Sequence, residues 1–468
     1  MAKSVKKNYI YNMVFQILRV IAPLLVTPYV SRVLSSESIG TYGFTISIVT
    51  YFILIGSLGI DLYGQREIAF ARDDIKKRSE IFWSLFLLKF ITMSISAIVF
   101  FFVFAREGDY AFYYRILLFE MLANFLDISW LFQGLEDFKK ITIRNVIVKV
   151  ASIAATFLFV KTPDDLWIYL LVYCMTTLLG SLTLWPSLKE HIKKPERINI
   201  KPHLKPVLVL FLPQIAVQVY TVLDKSMLGW LSDMDQVGFY EQVQKVVKVF
   251  LAFITALGTV MMPHIASCYA AGETQKIKEY MKKTFSFVFF AACPISAGVI
   301  VVAPRFVPLF FGPGYEGAIS IMQIISVIVL LIGLSNVAGM QFLLPTKRQK
   351  EFTLSIIAGT VTNVVFNLLL IPLMQGNGAA VATVIAEFAV TAVQFIFIHR
   401  SLPLYEIMHS EIKYVILSVI MAGICLGVDR FLPGGWTGLA IEALIGVATY
   451  CCLLVITKDK LLLEFKKK

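Results

Sequence analysis

Long apolar segments recur along the whole chain and alternate with short polar segments. Each apolar segment is about 18 to 25 residues long, which is the length that an α-helix needs to cross a bilayer. The pattern predicts about 14 transmembrane helices. The expected spans, numbered 1 to 14 in chain order, are 9–34, 39–62, 81–104, 112–132, 143–160, 166–188, 207–231, 237–262, 285–303, 318–344, 352–373, 379–398, 414–431 and 436–456.

The positions of Lys and Arg between these spans predict the orientation in the membrane. Most of the 43 basic residues fall into every second connecting segment, and cytoplasmic loops carry such an excess. Because the number of spans is even, both termini are expected on the cytoplasmic side. The longest outer loop, about 304–317, leaves no room for an external catalytic domain. The opposite set of segments holds only Arg106, Arg115, Lys161, Arg305 and Arg430.

Composition supports a membrane protein and excludes several other classes. Of the 468 residues, 58% are hydrophobic and only 16% are charged, against about 25% charged in a soluble domain. The net charge of +12 does not indicate nucleic-acid binding, since the basic residues punctuate apolar runs instead of forming one basic surface. The six cysteines show no metal-ligand spacing. We expect no metal, no cofactor and no nucleic-acid partner.

An internal repeat predicts two related halves. Residues 36–44 (SESIGTYGF) are similar to residues 234–242 (MDQVGFYEQ), and the shift between them corresponds to about six helices. An even number of helices gives parallel repeats, an architecture of transporters that work by alternating access. The predicted fold is all-α and polytopic, with two pseudo-symmetric six-helix lobes around a central cavity plus two extra C-terminal helices. The expected divisions are an N-terminal lobe (1–194), a cytoplasmic linker (195–206), a C-terminal lobe (207–400) and helices 13–14 with a basic tail (401–468).

Polar residues inside the spans are candidate functional residues, because ionisable groups in a bilayer need a cavity or a partner. Both lobes begin with a polar stripe at helical spacing that ends in a base. The stripes are Asn8, Asn12, Gln16 and Arg19 in span 1, and Gln214, Gln218, Thr221 and Lys225 in span 7. Bases attract an anion while amides bind hydroxyl groups. A lipid-linked sugar diphosphate fits both requirements.

Further charged residues extend the candidate site into other spans. The residues predicted to bind substrate are Asn12, Gln16, Arg19, Lys149, Gln214, Gln218, Lys225, Lys245 and Lys248. Those predicted to couple an ion or to pair charges are Glu120, Asp127, Asp224, Glu241 and Glu387. Simpler roles stay open: Lys245 and Lys248 could extend to the interface, and the acids beside bases could serve only to neutralise them.

Catalytic motifs are lacking in the sequence. No Walker motif, H-E-x-x-H or Ser nucleophile elbow occurs. Gly312, Gly314 and Gly317 spell G-x-G-x-x-G, but Pro313 interrupts this motif and no strand precedes it. We therefore expect a transport protein that is not an enzyme.

Six motifs in order resemble the Wzx-type polysaccharide flippases of the multidrug/oligosaccharidyl-lipid/polysaccharide (MOP, MATE-like) superfamily. They are residues 63–69 (YGQREIA), 130–140 (WLFQGLEDFKK), 223–229 (LDKSMLG), 309–318 (LFFGPGYEGA), 343–353 (LLPTKRQKEFT) and 370–387 (LIPLMQGNGAAVATVIAE). The resemblance implies a multi-pass protein of the bacterial inner membrane. It also implies translocation of an undecaprenyl-diphosphate-linked oligosaccharide for O antigen, capsule or exopolysaccharide, driven by an ion gradient (H+ or Na+) or the membrane potential. Polymerase and export machinery are the implied protein partners.

Two other functions remain as alternatives. A MATE-type cation-coupled drug exporter would need an acidic, aromatic cavity, whereas both polar stripes here end in a base. A membrane-embedded polysaccharide polymerase or acyltransferase would need catalytic residues on a sizeable loop, and the outer loops are too short.

Overall fold

The computed structural model describes residues 21–459 and residue 461, and every regular element in that part of the chain is helical. The helices are α1 (Ile21–Val33), α2 (Ser36–Ser57), α3 (Ile60–Phe70), α4 (Ile75–Phe100), α5 (Ala111–Leu126), α6 (Ser129–Gly134), α7 (Phe138–Phe159), α8 (Leu166–Leu182), α9 (Leu188–His191), α10 (Lys201–Leu231), α11 (Met234–Ala270), α12 (Thr274–Phe311), α13 (Ala318–Ile325), α14 (Ile328–Ser335), α15 (Gln349–Ile398), α16 (Leu404–Asp429) and α17 (Gly435–Ile456). Short π-helical turns extend α4 over Phe101–Ala105 and α14 over Asn336–Leu343.

The helices match the predicted spans. Eleven helical segments in the described part are long and apolar enough to cross a membrane, and α1 is a shorter apolar helix. Helix α10 covers span 7. Helix α15 has 50 residues and would be about 75 Å long if straight, more than twice the thickness of the hydrocarbon core. Its backbone leaves helical geometry at Gln375, so α15 supplies both span 11 and span 12. Each predicted span therefore has a helical counterpart, the first from Ile21 onward.

Several helices extend beyond the predicted spans. Helix α12 begins at Thr274 and ends at Phe311, although Pro304 and Pro308 lie inside it. Membrane helices tolerate proline because neighbouring helices satisfy the backbone groups that it frees. The outer loop expected at 304–317 is consequently shorter, since it begins only at Gly312.

The chain divides into two compact units, one ending at Gly229 and the other beginning at Trp230. Most of α10 belongs to the first unit. The division into repeated lobes on either side of 195–206 stays a prediction.

Aromatic side chains of α4 and α6 form part of the core of the first unit. The rings of Phe82 and Trp130 stack with centroids 5.3 Å apart, and both residues are buried. Gly64 lies so close to Trp130 that a Cβ there would stand 2.5 Å from the indole. Only glycine permits this approach between α3 and α6.

The segment before α10 follows the side of α4. The backbone N–H of Lys193 donates to Ser79 at 2.9 Å, and Trp83 Nε1 donates to the Lys193 oxygen at 3.2 Å. Farther along, the N–H of Asn199 donates to Ser84 at 3.0 Å. Side chains of α4 therefore hold the connection that leads into the predicted linker.

In the second unit, α12 packs against α11, α13, α14, α16 and α17. Polar contacts tie the last two helices to it. Ser286 donates to Glu411 on α16 at 2.6 Å, and Tyr450 on α17 donates to the Phe290 oxygen at 2.8 Å. The two C-terminal helices are thus joined to α12 by specific hydrogen bonds as well as by apolar packing.

Candidate functional site

Glu120 is a buried carboxylate in the first unit. It lies on α5 with 6% of its surface exposed. Its Oε1 accepts hydrogen bonds from Tyr173 on α8 and from Asn124, both at 3.3 Å. Its Oε2 has no hydrogen-bond partner among the described residues. A buried carboxylate with one unsatisfied oxygen is suited to take up a proton or a cation.

Tyr173, which donates to this carboxylate, belongs to a cluster of tyrosine rings. The ring of Tyr42 on α2 lies 4.9 Å from that of Tyr169 and 6.3 Å from that of Tyr173. The sequence predicted Glu120 as a candidate from its position in a span, but the tyrosines come from two other helices and were not predicted.

Asp127 has a different environment, since it is paired with a base. Its Oδ1 accepts from Arg144 Nη1 at 3.1 Å and from the backbone N–H of Ser129 at 2.9 Å. Lys89 donates to the Asp127 backbone oxygen at 3.3 Å. Of the two roles predicted for Asp127, this geometry favours charge pairing over ion coupling. Arg144 lies at the start of predicted span 5 and was not among the candidate residues, so its part in the pair was missed.

The stripe predicted for span 7 lies on α10 and changes environment along the helix. Gln218 and Thr221 are exposed, and Thr221 Oγ1 donates to the Gln218 backbone oxygen at 2.8 Å. Asp224 and Lys225 are buried, with 4% and 9% exposed. The side chain of Gln214 lies outside the described residues.

Among the other predicted residues of the first unit, Lys149 lies in the described part of the chain. Lys149 on α7 is half-buried and, like Asp224 and Lys225, makes a polar or electrostatic interaction. Asn8, Asn12, Gln16 and Arg19 lie outside the described residues, so the stripe of span 1 stays a prediction.

The basic residues of α11 lie beside an acid. Lys245 forms an ion pair with Glu241 at 3.3 Å and donates to Gln242 Oε1 at 3.2 Å. Glu241 is 7% exposed, whereas Lys248 is exposed one turn further along the helix. The pair lowers the energetic cost of burying Glu241.

Glu387 and several amides are buried on α15, whose two arms pack against each other. Gln394 on the second arm donates to Ser355 on the first at 3.1 Å. Asn367 donates to Asn363 at 3.0 Å, and both residues are fully buried. Glu387 is 7% exposed. Glu387 is therefore buried on the same helix as these amide side chains.

Two buried acids on α16 and α17, outside the predicted site, were missed. Glu411 is 4% exposed and Glu442 is 1% exposed. Arg305 approaches Glu442 at 3.7 Å and also pairs with Asp429. Because Glu442 stands inside span 14, its position in the sequence could have identified it as a candidate.

Comparisons with known proteins agree with this architecture. The profile of the family described as Polysaccharide biosynthesis protein matches residues 5–268, and the MatE profile matches residues 210–369. A putative O-antigen transporter of Escherichia coli (strain K12) is 26% identical over 406 residues, which cover 85% of this chain and 97% of that protein.

Solved structures show the same fold. The lipid II flippase MurJ in its inward closed conformation has a TM-score of 0.77 at 16% identity, covering 97% of this chain and 99% of MurJ. An inward-facing multidrug resistance MATE family transporter of the MOP superfamily has a TM-score of 0.65 at 15% identity, covering 82% of this chain and 93% of the transporter. The predicted all-α polytopic fold is confirmed. Since the family profile covers more than half of its length, the chain belongs to the polysaccharide biosynthesis protein family, within the MOP superfamily of multi-pass membrane transport proteins.

Proposed function

We propose that this protein is a flippase that moves a polyprenyl-diphosphate-linked oligosaccharide repeat unit from the cytoplasmic to the outer leaflet, for surface polysaccharide biosynthesis. The observation that carries the proposal is the similarity to the putative O-antigen transporter, which extends over 85% of the chain and almost all of that relative. We place the protein in the bacterial inner membrane with both termini in the cytoplasm. A polymerase and export machinery would then act on its product.

The chemistry of such a substrate explains why basic residues would stand inside the membrane. Moving an unshielded diphosphate through hydrocarbon would cost tens of kcal/mol. Bases and amides along a water-accessible path would replace its hydration shell while the lipid tail stays in the bilayer. The proposed path includes Lys225, which is buried on α10, and Lys149, which is half-buried on α7. The other proposed contacts are Asn12, Gln16, Arg19, Gln214, Gln218, Lys245 and Lys248.

The proposed transport cycle is alternating access, in which two related lobes rock against each other. Glu120 is our first candidate for coupling to H+ or Na+, because one oxygen of its buried carboxylate lacks a hydrogen bond among the described residues. Asp224, Glu241 and Glu387 are further buried acids in the proposed path. Asp127 is the weakest candidate for coupling because Arg144 already pairs with it.

The test is translocation in proteoliposomes that contain a short-chain polyprenyl-diphosphate oligosaccharide, with a glycosidase added outside to detect flipped head groups. Wild-type protein should expose the head group. Lys225→Ala should slow exposure by about tenfold, equivalent to losing about 1.4 kcal/mol of stabilisation. Lys283→Ala, which removes an exposed positive charge, is the matched control. Full activity of Lys225→Ala would reject its role, and no head-group exposure by wild type would reject the flippase proposal.

The match of the MatE profile to residues 210–369 favours a cation-coupled drug exporter as the second candidate. The same proteoliposomes distinguish the two functions. Uptake of a fluorescent cationic drug driven by a Na+ or H+ gradient, without exposure of the oligosaccharide, would support the exporter.

A further inference from the structure

A pocket of about 430 Å³ opens among three connecting segments of the second unit. Its lining comes from the end of α11 and the start of α12, from the turn before α15, and from the turn after α15. The distribution of Lys and Arg predicts all three segments on the cytoplasmic side. The lining residues are Tyr269, Thr274, Ile277, Lys278, Phe342, Thr346, Arg348, Ser401 and Leu402. This pocket contains none of the residues assigned to the transport path.

We propose that this pocket binds a phosphate or diphosphate group. Two of its lining residues are basic, and four carry hydroxyl groups. Phosphate oxygens accept hydrogen bonds from such donors, and cationic donors give the stronger bonds. The volume lies in the lower part of the range for small-ligand sites, roughly 300–1,000 Å³. It therefore suits a diphosphate with at most a small organic group.

Two helix N-termini converge on the pocket, which adds a second source of positive potential. Thr274 and Lys278 lie in the first two turns of α12, and Arg348 is the residue that precedes α15. Neither helix has a capping side chain that accepts a hydrogen bond from its first turn. Uncapped N-termini offer free backbone N–H groups and favour anions.

Lys278 carries the charge that is available to a ligand. No carboxylate in the described part of the chain lies within ion-pair distance of its ammonium group. The nearby acid Glu273 is already engaged, because Lys276 donates to it at 2.7 Å. That hydrogen bond holds the pKa of Glu273 below its ordinary value. This acid, which precedes Thr274 in the chain, is thus neutralised by another lysine.

Three partners hold the guanidinium of Arg348 in place. Its Nη2 donates to the Phe397 oxygen at 2.7 Å, and its Nη1 donates to Ser401 Oγ at 3.2 Å. Its Nε pairs with Glu351, which lies in the first turn of α15. Since Ser401 Oγ accepts from the guanidinium, its own hydrogen can be donated to a ligand. Arg348 therefore positions a hydroxyl donor in the pocket that Lys278 also lines.

The phosphate could come from a soluble cytoplasmic compound or from an anionic lipid head group, and the experiment separates the two sources. Full-length protein in neutral detergent is titrated with pyrophosphate by calorimetry, with chloride at equal ionic strength as the reference. We expect saturable binding that Lys278→Gln weakens by about tenfold and that Ser401→Ala weakens less. Lys282→Gln is the matched control, because Lys282 is exposed one turn further along α12 and does not line the pocket.

The titration is then repeated in nanodiscs of phosphatidylcholine with and without phosphatidylglycerol. Loss of pyrophosphate affinity only with phosphatidylglycerol would support a pocket filled by a lipid head group. Equal affinity in both nanodiscs would support a soluble phosphate ligand. Absence of saturable binding in detergent, unchanged affinity in Lys278→Gln, or an equal loss in Lys282→Gln would overturn the proposal. These outcomes do not depend on whether the protein is a flippase.

Discussion

Lys89 donates a hydrogen bond to Asp61 over 2.9 Å, although the lysine side chain is 2% exposed and the aspartate side chain is 54% exposed. The ammonium also donates to the backbone oxygen of Asp127. One buried cation therefore joins α3, α4 and the end of α5. The carboxylate that accepts from this ammonium is half-exposed, which makes the two sides of the pair unequal.

This inequality predicts unequal effects of removing each partner. Asp61→Asn removes the carboxylate that accepts from a buried ammonium and should lower stability by about 1–2 kcal/mol, less than for a fully buried pair. Lys89→Met leaves a half-exposed aspartate at the end of span 2, which is less costly than an unpaired buried charge, so it should cost less. In the double variant the loss from Asp61→Asn should largely disappear. Thermal unfolding of the four proteins in detergent gives the double-mutant cycle, and simple additivity of the two effects would contradict the prediction.

Gly438 provides the space in which Arg305 crosses between helices. A Cβ at Gly438 would stand 2.6 Å from Arg305 Nη1 and 1.8 Å from the Pro433 oxygen. Arg305 Nη1 itself donates to that oxygen at 2.8 Å. We expect Gly438→Ala to displace the guanidinium and to lower stability by about 1–3 kcal/mol.

The control for this prediction lies on the same helix. A Cβ at Gly446 would meet only the sulfur of Cys425 at 3.3 Å and that of Met421 at 3.9 Å. Gly446→Ala should therefore change the unfolding temperature in detergent much less than Gly438→Ala. Equal shifts for the two alanine variants would show that the Arg305 contact is not responsible.

His203 gives the contact between α3 and the start of α10 a pH dependence. Its Nδ1 lies 2.9 Å from the Tyr63 hydroxyl, before the predicted start of span 7. Burial lowers the pKa of His203 from 6.5, and Glu67 opposes this with a smaller effect. Below pH 6.5 the side chain of His203 binds a proton more readily in the unfolded chain than in the folded chain. The histidine therefore contributes its full stability above pH 6.5, and this contribution is lost as the pH falls.

The prediction is a larger loss of thermal stability in wild type than in His203→Gln between about pH 7.5 and about pH 5.5. Tyr63→Phe removes the hydroxyl but keeps the ring, so it should retain most of the pH dependence, which is caused by burial. Identical slopes in wild type and His203→Gln would be evidence against this role of the histidine.

Glu120→Gln tests ion coupling within the proposed function. The amide keeps a hydrogen-bonding side chain beside Tyr173 but cannot change its charge when a proton binds. Translocation in proteoliposomes should lose its dependence on pH or on Na+ while substrate exposure in the absence of a gradient remains.

The matched control is Glu411→Gln. Glu411 is also a buried acid, but it lies on α16, where Ser286 donates to it. Its amide variant should keep the ion dependence of wild type. If both variants lose the dependence, or if neither does, Glu120 is not the coupling group.

The spans could be predicted from sequence because lipid imposes a long apolar window on every crossing helix. Helices α7 and α17 begin and end within several residues of spans 5 and 14. The ends of α12 could not be predicted, since helices that leave the bilayer need no apolar sequence and prolines inside them are tolerated. The connection after Phe311 is therefore shorter than predicted.

The candidate site was less predictable because its charged side chains pair with residues that are distant in sequence. Asp127 was identified from its span, but the Arg144 that pairs with it was not among the candidate residues. Lys89 and Asp61 are likewise brought together only by packing of α3 on α4. A sequence shows which side chains are costly to bury, whereas their partners depend on how the helices pack.

The break in α15 occurs at a residue whose backbone is strained. Gln375 has φ 50° and ψ −127°, a conformation that glycine adopts readily and that other residues avoid. The backbone N–H of the next residue, Gly376, donates to Gln236 Oε1 on α11 at 3.2 Å. This contact holds the turn against a neighbouring helix.

Gln375→Gly should therefore raise stability by about 1 kcal/mol, because relief of strain exceeds the entropy that a glycine adds to the unfolded chain. Gln375→Ala loses the same side chain without relieving the strain and serves as the control. Unfolding temperatures in detergent should rank glycine above wild type and alanine at or below it, and the reverse order would show that the turn at Gln375 is not strained.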